Sequence, residues 1–163
     1  MTPQELVHQL MCDIGGTLSV QQITASHKLD SWQVVFDADT VFDLEYDGAL
    51  ERVVFSSRVG RLQAEHRLQT CELLLKVNFG WRQTGGVRMA LDWRSDDVVM
   101  MFEMPVATMR LSLLGTALTN LVGKHRLWRQ MLLEPQASSH TSPPTVPEGP
   151  AFADEQPWSQ NLP

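Results

Sequence analysis

The chain has 163 residues, 43% apolar and 20% charged, which is enough for one domain with a hydrophobic core. Its net charge of −6 argues against nucleic acid as a partner, because binding phosphate takes clustered Lys and Arg. No apolar run is long enough to span a bilayer and no basic segment leads into one, so neither membrane insertion nor a signal peptide is expected, and the protein reads as cytoplasmic.

In chain order, Thr2-Pro3-Gln4-Glu5 is a helix start: Thr2 caps, Pro3 fits the first helical position and Glu5 closes a capping box. Leu6, Val7, Leu10, Met11 and Ile14 follow as one apolar stripe, and Gly15-Gly16 ends the helix. The stripe is a core face or, in part, a surface for a partner. Residues 17–31 are polar and irregular, with a weak pattern at Leu18, Val20 and Ile23, and are expected to form a loop. Three strands follow at 32–37, 40–46 and 50–59, the first with Trp32, Val34 and Phe36 on one side, the second with Phe42, Leu44 and Tyr46. Asp47-Gly48 marks the turn between the last two, and connections this short imply an antiparallel meander.

A helix is expected from Arg61. Ala64, Leu68, Cys71 and Leu75 make one apolar face, and Leu73, Leu74 and Val77 a second one. One sheet covers one face, and the spacing does not say which; the first is taken as the core-facing stripe. The second, Leu73, Leu74 and Val77, becomes a candidate dimer interface. Gly80 and Gly85-Gly86 break the helix, and the period changes to two at Val87, Met89, Leu91 and Trp93. The strand at 97–104 is apolar on both sides, with Val98, Met100, Phe102 and Met104 facing one way and Val99 and Met101 the other. Thr108 is read as the cap of a last helix, which carries Leu111, Leu114, Leu118, Leu121, Val122, His125, Trp128 and Leu132 at core spacing.

From Pro135 the composition turns to Pro and Ser without periodicity, and the chain divides into a domain at 1–134 and a disordered tail at 135–163 containing Phe152 and Trp158. The charge is uneven: −6 over 1–60, +3 over 61–134 and −3 over 135–163. The order helix, three strands, helix, two strands, helix implies an α+β fold, an antiparallel sheet of about five strands with helices packed on it.

No catalytic constellation is visible. The five histidines are scattered and lack HExxH spacing, and Ser56-Ser57 lacks the nucleophile elbow. Residues 83–86 lack the phosphate-loop lysine, and Asp37, Asp39, Asp92, Asp96 and Asp97 sit at turns where Asp solvates backbone. Cys12 and Cys71 lack CxxC spacing and read as buried thiols. The expectation is no enzyme, no metal and no cofactor. What the chain has instead is surplus apolar surface. Leu6, Leu10, Met11, Val35, Val41, Val99 and Met101 are the candidate residues for holding an extended segment of another protein, and the methionines suit a surface that accepts several sequences.

These features carry a resemblance. Leu73-Leu74-Leu75, Asn78, Gly85-Gly86, Leu91-Asp92, the apolar strand 98–102 and a final helix with Trp128-Arg129 resemble the class I type III secretion chaperones, the CesT-like family, over about residues 3–133. Within that family the chain looks most like the HpaB-type general export-control chaperones. The resemblance implies a homodimer in the bacterial cytosol that binds N-terminal segments of secreted effectors, keeps them secretion-competent and delivers them to the secretion ATPase, without a cofactor. Two other readings remain: a small-molecule-binding or catalytic α+β domain, and a regulator that sequesters a transcriptional control protein.

Overall fold

The computed structural model describes residues 1–26 and 30–133; the tail assigned to 135–163 lies outside the described residues. Helix α1 spans Pro3–Ile14. Its start is the expected capping box: Glu5 N–H donates to Thr2 Oγ1 at 3.2 Å and Thr2 N–H donates to the Glu5 carboxylate at 2.6 Å. The strands are β1 Gln22–Ser26, β2 Ser31–Asp37, β3 Thr40–Asp47 and β4 Arg52–Arg61, then, after helix α2 (Arg67–Phe79), β5 Arg88–Leu91 and β6 Asp97–Pro105. Helix α3 is Leu111–Leu133. All pairs are antiparallel, in the order β1-β2-β3-β4-β6-β5.

The α+β architecture is as expected, with six strands where about five were read. The additional strand is β1, inside the segment expected to be a loop. Ile23 is its one large apolar residue, so alternation gave no signal. Two helix starts also differ. The chain after β4 first makes a 3-10 turn at Ala64–His66, and α2 begins only at Arg67. Thr108 does not cap α3. It closes a separate 3-10 turn at Val106–Thr108, where its hydroxyl donates to the Pro105 carbonyl.

The core lies between one face of the sheet and helices α1 and α3. Trp32, Val34, Phe42, Leu44, Val53, Phe55, Val98 and Met100 enter it from alternate strand positions, Val7, Leu10, Met11 and Ile14 from α1, and Leu114, Leu118, Leu121 and Val122 from α3. Period-two burial along strands and period-3.6 burial along helices are what let these residues meet on one side. His125 is fully buried in the same layer, with Nε2 3.0 Å from the Arg58 carbonyl and its ring edge-on to Phe42. The thiols are not buried as expected: Cys12 is exposed on α1 and Cys71 is half-buried on α2.

Candidate partner-binding surfaces

The second face of the sheet carries no helix among the described residues. Successive cross-strand partners Gln33, Asp43, Ser56, Met101 and Arg88 run across it from β2 to β5. Beside them Val35 pairs with Val41, and Val99 sits between Arg58 and Ala90. Val35, Val41, Val99 and Met101 are therefore brought together on one uncovered face, each half-buried by its neighbours on the pleat. A groove of about 490 Å³ crosses this face, lined among others by Thr24, Gln33, Asp43, Val54, Ser56 and Met101. Its rim is charged. Arg52 pairs with Asp47 at 3.0 Å and closely with Glu103, which also receives Arg88 at 3.3 Å. The Arg52 guanidinium holds the Asp47 carboxyl below its ordinary range.

Leu10 and Met11 are not part of this surface. They point into the core on the opposite side of the sheet, 7% and 2% exposed, because they continue the Val7–Ile14 stripe that α1 buries. Leu6 is half-buried against the same core. The α1 residues therefore cannot wall a groove shared with Val99 and Met101.

The two sheet edges differ. β1 pairs with β2 on one side, and no described strand pairs with its other side. β5 is closed. The Asn78 side chain of α2 donates to the Met89 carbonyl at 2.8 Å and accepts from the Met89 N–H at 2.7 Å, filling the place of one residue of a neighbouring strand. Thr84 Oγ1 donates to the Val87 carbonyl at 3.0 Å. The loop that delivers Thr84 turns through Gly85 and Gly86, both at positive φ (67° and 85°), a region L side chains rarely enter. Lys124 of α3 donates to the Thr84 carbonyl and ties the loop down.

Asn78 also decides which face of α2 turns inward. The expectation fails at Leu74, which is 4% exposed and belongs to the core, with Thr70 buried beside it. Leu73 and Val77 are half-buried. Of the stripe assigned to the core, Leu68 at 70% and Leu75 at 69% exposed point outward while Cys71 is half-buried against the core, and Phe79 at 90% and Trp81 at 55% extend the outward side. With apolar residues on both faces, the spacing held no information about orientation. Leu74 is therefore removed from the candidate dimer interface, and Leu68, Leu75 and Phe79 take its place as the unpartnered apolar surface. The signal that finds them is Asn78, a polar side chain on the opposite side of the helix whose amide fits an open strand edge.

The aspartates at turns hold arginines. Asp37 pairs with Arg126 at 2.8 Å and Asp39 with Arg129 at 2.6 Å, joining the β2–β3 turn to α3, and Arg126 holds the Asp37 carboxyl at about 2. Asp97, 3% exposed, pairs with Arg58 at 2.7 Å, and Asp96 with Arg67 at 3.1 Å. Among the described residues no group of His, Cys, Asp and Glu is arranged to hold a metal ion, and no helix is long and apolar enough to cross a membrane.

A sheet with one bare face, one open edge and an outward apolar helix is a surface for other polypeptides, and comparison with known proteins agrees. Residues 19–129 match the CesT family, described as Tir chaperone proteins. The chain belongs to the CesT family. The match runs from just before β1 to near the end of α3 and so includes the bare face, both edges and the α2 stripe. Three solved structures share the fold of this CesT chain. In the crystal structure of the ExsC–ExsE complex the matching chain is 18% identical with a TM-score of 0.71, covering 85% of this chain and 100% of that one. In the HopA1–SchA chaperone–effector complex the values are 19% and 0.64, covering 78% and 95%. In the Yersinia pestis type III secretion chaperone SycH with a fragment of YscM2 they are 22% and 0.57, covering 78% and 99%. No curated protein sequence matches the chain.

Proposed function

We propose that this CesT-family protein is a class I type III secretion chaperone of the HpaB-type export-control kind. In the bacterial cytosol it binds N-terminal segments of effector proteins, keeps them secretion-competent and hands them to the secretion ATPase. It works as a homodimer and needs no cofactor. The observation that carries this reading is the uncovered sheet face, which runs from Val35, next to the open edge strand β1, through Val41 on β3 to Val99 and Met101 on β6. One part of an extended segment can add to that edge through its backbone while another part lies across the apolar positions of the face. Methionine on that face adapts to different client sequences. The homodimer is supported by the outward stripe Leu68, Leu75 and Phe79. Each leucine buried against a second copy contributes about 1.5–3 kcal/mol, and twofold symmetry uses the stripe twice.

The test is a pair of full-length variants. Val99→Glu places a charge on the bare face and is expected to weaken capture of an effector's N-terminal segment at least tenfold, with circular dichroism and oligomeric mass unchanged. Leu75→Asp is expected to shift the mass by light scattering to that of a monomer while the fold persists. A Val99→Glu protein that folds normally and binds with wild-type affinity removes the bare face from client binding. A wild-type protein that is monomeric at high micromolar concentration removes the homodimer.

A further inference from the structure

Charge divides the bare face of the sheet. Its outward positions from β1 to β3 include Thr24, Gln33, Asp43 and Glu45 and no Lys or Arg. From β4 to β5 they include Arg52, Arg58 and Arg88, and each is taken: Arg52 by Asp47 and Glu103, Arg88 by Glu103, and Arg58 by Asp97. Asp43 and Glu45 enter no ion pair among the described residues. The Gln33 amide donates to Asp43 at 2.9 Å, a neutral partner that leaves the charge unbalanced. Lys28, between β1 and β2, lies outside the described residues.

The two carboxylates project from the same side of β3, about 7 Å apart, so a cation placed between them is attracted by both. Apolar side chains lie close. Glu45 is opposite Val54, and Asp43 is in line with Ser56 and then Met101, two strand spacings or about 10 Å away. Asp43, Glu45, Val54 and Met101 line the same groove. A groove of this make-up fits a polypeptide that carries positive charge next to apolar side chains. The chain's own segment 134–163, with four acidic residues and no Lys or Arg, has the wrong sign for it.

We infer that the bare face selects its clients by charge: it takes extended segments with Lys or Arg over Asp43 and Glu45 and apolar residues over Val54 and Met101. This selectivity rests on the proposed reading of the face as the client site and adds the chemistry of the client. Side chains on one side of an extended segment are about 7 Å apart. A basic residue two or four positions from an apolar one therefore covers the distance from Asp43 to Met101, its long side chain taking up the difference. An acidic residue in the same place meets two like charges. Complementary charge of this kind rejects wrong partners more than it adds affinity.

The test uses the full-length chain and a fluorescein-labelled peptide that alternates Ser with the series Lys, Lys, Val, Val, Val, beside a twin with Glu for Lys. Wild type is expected to bind the Lys peptide at least tenfold tighter than the Glu peptide by fluorescence polarisation. In Asp43→Asn/Glu45→Gln, which keeps size and hydrogen bonding, that ratio is expected to fall to about twofold. Asp13→Asn/Glu65→Gln removes two exposed carboxylates elsewhere, on α1 and on the turn before α2, and is expected to keep the wild-type ratio. An equal loss in both double variants assigns the preference to the overall negative charge and overturns selection by the groove. Met101→Gln removes apolar surface without adding charge and is expected to weaken the Lys peptide severalfold. If it does so while Asp43→Asn/Glu45→Gln keeps the wild-type ratio, the face remains the client site and charge selection fails. If neither change alters binding, the face holds no client and both readings fall.

Discussion

The sheet ends in two unlike edges, and the difference shows where another chain can join it. At β5 the backbone groups of Met89 are taken by the Asn78 amide and the Val87 carbonyl by Thr84, so a strand arriving there has to displace side-chain hydrogen bonds. At β1 no described element has done the same. Exposed edges are templates for pairing, and proteins cover the ones they do not use. The sealed edge leaves α2 as the outermost layer on that side, and the contact it offers is side chain to side chain. The bare edge offers backbone to backbone. One molecule thus presents two unlike surfaces, which the proposed function assigns to a folded second copy and to an extended client.

The largest effect is expected where the seal is broken. Asn78→Ala removes a donor and an acceptor from Met89 at once, and each lost partner of a partly buried backbone group costs about 1–3 kcal/mol, less what entering water restores. A net loss of about 2–3 kcal/mol in urea unfolding is expected, together with loss of the exchange protection of the Met89 amide. Asn78→Asp keeps the bond from Met89 N–H but sets a carboxylate oxygen against the Met89 carbonyl, so it is expected to destabilise nearly as much. A variant that unfolds at the wild-type urea concentration shows that β5 needs no seal, and the contrast between the edges is lost.

How much of this the sequence reveals follows the same line. The helix cap at Thr2–Glu5, the β2–β4 meander and the two faces of β6 are legible because capping chemistry and period-two burial are local. The four outer-face residues Val35, Val41, Val99 and Met101 come from that same alternation. β1 is not legible: an edge strand that buries little has no apolar pattern to show. The orientation of α2 is not legible from spacing either, since Leu68, Leu75 and Phe79 are as apolar as Leu73, Leu74 and Val77. Leu10 and Met11 were misplaced for the opposite reason. Their stripe is an ordinary core stripe, and nothing in its spacing marks it as surplus.

A smaller effect is expected at the seam where β3 and β4 meet α3, between the two edges. His125 is enclosed there, with Nε2 at the Arg58 carbonyl and no hydrogen-bond partner for Nδ1. Burial pushes its pKa below 6.5 and Arg129 and Arg126 add to that, while the hydrogen bond to the Arg58 carbonyl and the Asp37 charge oppose them. Below about pH 6.5 the unfolded chain protonates this ring while the folded one does not, so the unfolded state binds more protons and stability falls with falling pH. The slope is at most about 1.4 kcal/mol per pH unit. His125→Gln is expected to flatten the fall in urea stability between pH 7 and pH 5.5. Asp37, held at about 2, acts in a lower window: its contribution is present above 3.8 and is lost only as pH drops toward 2. A His125→Gln protein with the wild-type slope assigns the acid sensitivity to another group.

The smallest effect on stability is expected at β1, and there binding is the readout. Successive N–H groups of an edge strand point alternately to the neighbouring strand and outward. Of Thr24 and Ala25, one N–H therefore faces β2 and the other faces away from the sheet. Proline at the inward position breaks a ladder bond. Proline at the outward position removes a donor that no described strand uses and places a ring where an added strand would lie. Thr24→Pro and Ala25→Pro are thus expected to differ. One loses about 1 kcal/mol or more, and the other loses little stability but captures an effector segment several-fold more weakly. If the stable variant of the pair binds a client as wild type does, the client does not extend the sheet at β1, and its contacts lie on the bare face alone.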